Sequence, residues 1–405
     1  MIALADCNNF FASCERSIHP ELEGKPLIVL SNNDGCIIAR SNEAKALGYK
    51  MGEPVFKVKD KLMRDKVYQF SANVVLYRAI SQQIMQILAC ECNAMEVYSI
   101  DEAFMDFTDV ACPEEKAVLL REQVLRETKI PISIGIAKTK VLAKLASNIA
   151  KKHTSKGVFL LENKELVERA LAYYPVEDLW GIGNRLAKTL NEKGIFNASQ
   201  LAKLDEVMAR KLMNVVGIRL VKELNGIPCS NLVETRAAKK SIMSSRSFKQ
   251  ELSSLADLNE PLTNFASLCA YKLRQQKSCA KKLGVFIQTN RFKPNTKIHN
   301  GYIEIIFPTA TNDSIEIIKA THKALEELYQ SDCLYKRAGV VVSDIIPESI
   351  VQLSLFSNHN IVKRTALMKV YDSLNSKMGH GTLRLCVQGT EKYWSPGKEP
   401  IAFGN

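Results

Sequence analysis

Between residues 239 and 344 the sequence alternates in an order that few architectures satisfy. Strand-like runs at 242–248, 283–289, 302–306 and 338–342 are interrupted by helical spacing at 258–275 and 314–329. That β-α-β-β-α-β order matches a small ferredoxin-like domain. At 405 residues the chain has room for two to four domains, so this block is one part of a larger assembly of elements.

The N-terminal part has a different rhythm. Residues 2–5 form a short apolar run read as a buried strand, and a helix starts at Phe10. Residues 26–31 and 36–39 read as strands around a turn, and 43–47 as a short helix closed by Gly48. Helical spacing covers 74–88. Residues 94–100 and 103–108 read as a hairpin with Asp101 and Glu102 at or beside its turn. Residues 132–137 predict another strand, and 140–151 a helix with a lysine-rich face. From Pro175 the composition shifts: 175–227 predicts helices broken by Gly181-Ile182-Gly183 and by Gly217. After Pro347 a linker leads to a tail with an amphipathic helix over 365–374, then Gly379 to Gly381 and an apolar strand.

Charge is distributed unevenly over these parts. Residues 1–137 hold 15 Lys and Arg against 19 Asp and Glu; 138–156 hold six Lys and no acid; 239–297 hold 12 basic and three acidic residues. An acidic first part joined to basic later parts, with a net charge of +12, predicts a cation site beside a polyanion track. One basic run alone also reads as a solvated face. No apolar run reaches the roughly 18 residues of a membrane span, and the N-terminus lacks the basic region of a signal peptide. Eleven cysteines with no CxxC pair argue against a disulfide framework or a zinc site and for a reduced, cytoplasmic protein.

Asp6 closes a buried strand while Asp101 and Glu102 sit at a hairpin turn. Neighbouring strands can bring the three together, and clustered carboxylates that bridge two hard cations make a two-metal site. Acids at strand ends are equally at home on a solvated surface, so spacing alone leaves both readings open.

The surrounding residues carry a resemblance. Asp6-Cys7-Asn8-Asn9-Phe10-Phe11 together with Ser99-Ile100-Asp101-Glu102-Ala103-Phe104 resembles the paired motifs of the Y-family translesion DNA polymerases. Ser31-Asn32-Asn33-Asp34-Gly35-Cys36, followed by Ile38 to Gly48, is similar to the UmuC-like branch, that of the catalytic subunit of bacterial DNA polymerase V and its plasmid-borne relatives. The resemblance spans essentially the whole chain and thins in the tail.

It implies an α+β right-hand polymerase. The palm would be ferredoxin-like (1–10 and 76–165), with small fingers (11–75) and a helical thumb with a helix-hairpin-helix (166–235). A β-α-β-β-α-β little finger (240–345) and a tail (346–405) would follow. It also implies error-prone, template-directed synthesis in the SOS response, with no segment left for proofreading. Asp6, Asp101 and Glu102 would be catalytic and, with the Cys7 carbonyl, would hold two Mg²⁺ ions, or Mn²⁺. Phe11 would be the steric gate against ribonucleotides, and Phe10, Lys45 and Lys151 would meet the nucleotide. Other Y-family members place Thr, Tyr and Arg in the fingers where this chain has Ala39, Asn42 and Lys45, which predicts weak intrinsic nucleotide binding. Gly181, Gly183 and Arg246 would meet DNA phosphates. Gln352, Leu353, Leu355 and Phe356 resemble a clamp-binding peptide.

The implied partners are primer–template DNA, deoxynucleoside triphosphates, the β sliding clamp, a processed UmuD-type dimer and a RecA filament. The implied location is the bacterial cytoplasm, at the nucleoid during repair, and not a membrane. Two other readings use the same residues: a two-metal nuclease, which would activate water, and a non-catalytic DNA- and clamp-binding subunit.

Overall fold

The computed structural model describes residues 1–235, 237–294, 296–352, 361–379 and 381–389. They fall into two compact units that meet in sequence at residues 236 and 237.

In the first unit the chain runs β1 (Ile2–Cys7), α1 (Phe10–Ile18), β2 (Leu27–Leu30), β3 (Ile37–Arg40), α2 (Asn42–Ala46), α3 (Val55–Arg64) and β4 (Tyr68–Ser71). It continues with α4 (Val74–Cys90), β5 (Met95–Val97), β6 (Glu102–Asp106), α5 (Pro113–Thr128), β7 (Ile132–Ala137), α6 (Lys140–His153) and β8 (Val158–Leu160). Then follow α7 (Lys164–Tyr173), α8 (Asn184–Asn191), α9 (Ala198–Ala202) and α10 (Glu206–Leu224). The main sheet has the order β5-β6-β1-β7-β8, and a small second sheet the order β3-β2-β4.

β1 is central because its apolar run is buried on both faces. Ala3, Ala5 and Cys7 pack with Ala103, Met105 and residues of α1, α4 and α5 in one core. Leu4 and Phe104 pack on the opposite face with α6 and the helices beyond it. Strand alternation therefore puts Asp6, two residues after Leu4, on the α6 face.

α6 lies unusually close to that face. It starts at Thr139, whose side chain accepts from the Leu142 amide, while the Glu223 carboxylate of α10 accepts from the Val141 amide. Where α6 crosses β7 the strand residue is Gly135. A Cβ there would meet the Ser147 amide nitrogen at 1.9 Å and the Ala143 carbonyl oxygen at 2.4 Å. These are backbone atoms and cannot swing aside. Gly135→Ala is accordingly expected to cost about 3 kcal/mol, read as a lower midpoint of urea unfolding; an unchanged midpoint would contradict this packing.

One helix break differs from the sequence reading. Gly217 does not break a helix. It lies buried within α10, where a Cβ would meet the Met213 Cβ at 2.3 Å. The helical path is interrupted at Asn214 instead, with φ 58°; Asn is among the few side chains that adopt positive φ readily. Gly181 does have the left-handed φ of 95° expected of a tight turn, and Gly183 stands at the N-cap of α8.

The second unit holds β9 (Ser241–Leu252), α11 (Leu255–Gln275), β10 (Ser278–Thr289), β11 (Asn300–Thr311), α12 (Ser314–Leu328) and β12 (Tyr335–Pro347). The β-α-β-β-α-β order is as the sequence predicts. The sheet order is β11-β10-β12-β9, antiparallel throughout. Leu258, Leu262 and Phe265 of α11 and Ile317 and Leu325 of α12 cover one face.

The tail helix α13 (Ile361–Met378) reaches beyond the predicted 365–374. It is fixed by a fork in which Arg274 Nε and Nη2 donate to the two carboxylate oxygens of Asp372 at 2.7 and 2.8 Å. The strand expected after Gly381 is replaced, among the described residues, by a 3₁₀ turn at Cys386–Gln388. Side chains take the amides that a neighbouring strand would otherwise bond: Asn375 accepts from Gly381 and Leu383, and Gln388 from Leu385.

Candidate active site

Asp6 and Glu102 are direct partners in the antiparallel pairing of β1 with β6. Opposed residues project from the same face of a sheet, so the register itself brings these two carboxylates together. Asp101 immediately precedes β6. Its carbonyl accepts from the Cys7 amide at 2.9 Å, and its carboxylate accepts from the Ser99 hydroxyl. The loop is thus tied to the end of β1.

Two lysines of α6, seven residues apart and so on one helix face, reach down to this edge. Lys151 Nζ lies 2.7 Å from Asp6 Oδ1, and Lys144 Nζ 2.7 Å from Glu102 Oε2. Glu102 is pushed above the usual carboxylate range by burial; Lys144 opposes that shift, while Asp6 and Asp101 add to it. Among the described residues no three metal-ligating side chains are gathered as a group, and ammonium groups stand against two of the carboxylates.

The donor set still fits a hard divalent cation. The accessible donors are carboxylate oxygens. The one thiol nearby, Cys7, is buried and pushed well above its usual range, first by burial and then by Asp101 and Asp6, so it offers no soft thiolate.

Above Asp6 lies a cleft of about 520 Å³, lined among others by Asn9, Asn42, Lys45, Lys144 and Lys151. Lys45 donates to Asn9 Oδ1, and Asn9 Nδ2 donates to Asn42 Oδ1 at 2.9 Å. Lys45 is held below the usual lysine range by burial, then by the like charges of Lys151 and Arg40. A polyanion in the cleft would relieve that repulsion, so the cleft is electrostatically set for phosphates.

Other expected residues fall as follows. Phe11 is half-buried and stacks on Tyr77, with ring centroids 4.5 Å apart. Phe10 is only 4% exposed and belongs to the core. Its ring packs inside, with its centroid 5.7 Å from that of Phe11. Arg246 lies on β9 opposite Ala338. Gln352 is exposed, whereas Leu353, Leu355 and Phe356 lie outside the described residues.

The sequence reading missed Lys144 and its holder. Lys144 Nζ lies 5.0 Å from the centre of the Tyr98 ring and 5.5 Å from that of Trp180, and Trp180 Nε1 donates to the Tyr98 hydroxyl at 3.1 Å. Cation–π contact from two rings restrains the stem beside Glu102. The one available signal was the seven-residue spacing from Lys151. The sequence reading also missed Glu15, the one acid of α1. Of the six lysines in 138–156, Lys140 turns inward as well, to Glu96, so the run is not simply a solvated face.

The chain matches the impB/mucB/samB family over residues 5–148, the C-terminal domain of that family over 239–355, and a domain of unknown function over 365–400. It is 40% identical to the protein UmuC of Salmonella typhimurium, across 99% of this chain and 97% of that protein. It is 31% identical to DNA polymerase IV of Oceanobacillus iheyensis, across 92% of this chain and 88% of that protein. Its fold is similar to a solved Y-family DNA polymerase chimera, with a TM-score of 0.69 at 22% identity, covering 86% of this chain and all of the other.

Proposed function

This chain belongs to the impB/mucB/samB family, and from that premise we propose that it is an error-prone, template-directed DNA polymerase of translesion synthesis in the SOS response. The observation that carries the reading is the register that sets Asp6 opposite Glu102, with Asp101 tied beside them, under a cationic cleft.

In this reading residues 1–10 and 76–165 are the palm and 11–75 the fingers. Residues 166–235 are the thumb, 240–345 the little finger and 346–405 the tail. The primer 3′-hydroxyl attacks the α-phosphorus of the incoming deoxynucleotide. A new P–O bond forms as the bond to pyrophosphate breaks, so one pyrophosphate leaves per nucleotide added. Asp6, Asp101, Glu102 and the Cys7 carbonyl would hold two divalent ions, Mg²⁺ or Mn²⁺. Once bound, these ions supply Lewis-acid activation of the hydroxyl and neutralise the leaving charge. Lys45 and Lys151, in the same cleft, meet triphosphate oxygens as mobile point charges. Phe11 would be the steric gate, a ring that refuses a 2′-hydroxyl, and so a ribonucleotide, by exclusion.

Gly181 and Gly183 let backbone amides approach a DNA phosphate, and Arg246 adds a charge from the little finger. Contacts of this kind position the duplex without reading its sequence. The tail is a surface for the UmuD-type dimer or the RecA filament.

The test is a labelled primer on a template, with the purified chain, Mg²⁺ and the four deoxynucleotides, with and without the clamp, the UmuD-type dimer and a RecA filament. Nucleotide-dependent lengthening is expected; shortening would favour a nuclease. A second expectation concerns the clamp. Deleting Leu355 and Phe356 should abolish stimulation by the β sliding clamp and leave unstimulated extension at its wild-type rate. Stimulation that survives the deletion would place clamp binding elsewhere.

A further inference from the structure

We propose that Glu15 and Tyr77 are a positioning pair that fixes the Phe11 ring, so that discrimination against ribonucleotides is set by a buried hydrogen bond behind the gate. The inference rests on the polymerase reading above and deepens it.

Phe11 and Glu15 stand four residues apart on α1, one turn above the other on the same face. Tyr77 of α4 spans both. Its ring lies against Phe11 at 4.5 Å between centroids and 17° between planes, and its hydroxyl donates to Glu15 Oε1 at 2.5 Å. Tyr77 has 0% of its surface exposed and Glu15 4%, so neither can itself touch a nucleotide. Phe11 keeps a solvent-accessible part.

A buried carboxylate is costly unless hydrogen bonds satisfy it. Tyr77 supplies one here, and the same bond fixes the rotation of the Tyr77 ring. Phe11 has no polar atom of its own. Its position is decided by what it packs against, and Tyr77 is the flat surface behind it. A sugar with a 2′-hydroxyl fits only if the Phe11 ring recedes. Tyr77 occupies the space of that retreat, and Glu15 prevents Tyr77 from yielding.

The experiment uses the full chain with whatever partners its primer extension requires. It compares kcat/KM for one ribonucleotide and the matching deoxynucleotide opposite the same template base. Tyr77→Phe keeps the ring and deletes the hydroxyl. Its ribo-to-deoxy ratio is expected to rise about five-fold. Glu15→Met removes the acceptor from the other side and should shift the ratio in the same sense, which keeps the test available if one variant folds poorly. Glu15→Gln retains an acceptor for the Tyr77 hydroxyl and should stay near the wild-type ratio. In a Phe11→Ala background, Tyr77→Phe should change the ratio no further, a non-additivity that a merely stabilising role would not produce.

Wild-type ratios in both Tyr77→Phe and Glu15→Met would overturn the inference. So would equal effects with and without the Phe11 ring. A wild-type chain that extends no primer under any condition would overturn the polymerase reading, and this inference with it.

Discussion

Primer extension by Asp101→Ala is expected to fall by about 10³-fold or more. The loss would be chemical rather than structural. Asp101 sits in the loop before β6, where its main-chain carbonyl already holds the Cys7 amide. Truncating the side chain leaves that bond in place and removes only a carboxylate whose partner is the Ser99 hydroxyl. Stability should therefore shift by only about 0.5 kcal/mol, as for a site without core packing. Single-turnover extension alongside a urea titration separates the two effects. Extension within ten-fold of wild type would show that the chemistry does not run through these carboxylates.

The second large effect concerns sugar choice. Phe11→Ala should raise ribonucleotide use relative to deoxynucleotide use by about 10²-fold. In the proposed reading the ring excludes a hydroxyl by volume, so removing that volume should remove the discrimination and create no new attraction. Because Phe11 is half-buried against Tyr77, the truncation should also cost about 2 kcal/mol of stability. The ratio of the two kcat/KM values on the same preparation cancels that cost. Steady discrimination in Phe11→Ala would place the gate elsewhere.

The carboxylates were legible in the sequence because each is a local event: an acid closing an apolar strand, and two at a hairpin turn. Their meeting depended only on antiparallel register, and the observed pairing of Asp6 with Glu102 supplies it. The β-α-β-β-α-β block was legible for the same reason, since each of its elements keeps its own periodicity.

What stayed hidden depends on which faces meet. Nothing local marks Lys144 as different from its neighbours; its role comes from Gly135 letting α6 lie close enough to reach Glu102. Glu15 reads as an ordinary helix acid until α4 brings Tyr77 over it. Gly217 was misread as a helix breaker because glycine's freedom is local, whereas its use here is tight packing on Met213 across the interruption at Asn214. In the tail, side-chain amides of Asn375 and Gln388 replaced strand pairing, and no periodicity announces such bonds.

The most direct test of the central claim is stoichiometric. Pyrophosphate release and primer length would be followed together, with the full chain, its partners, Mg²⁺ and a single correct deoxynucleotide. The account predicts one pyrophosphate per nucleotide added, and none when the primer ends in a 2′,3′-dideoxy sugar that lacks the attacking hydroxyl. Release of nucleoside monophosphates with a shortening primer, or no synthesis with every partner present, would contradict it.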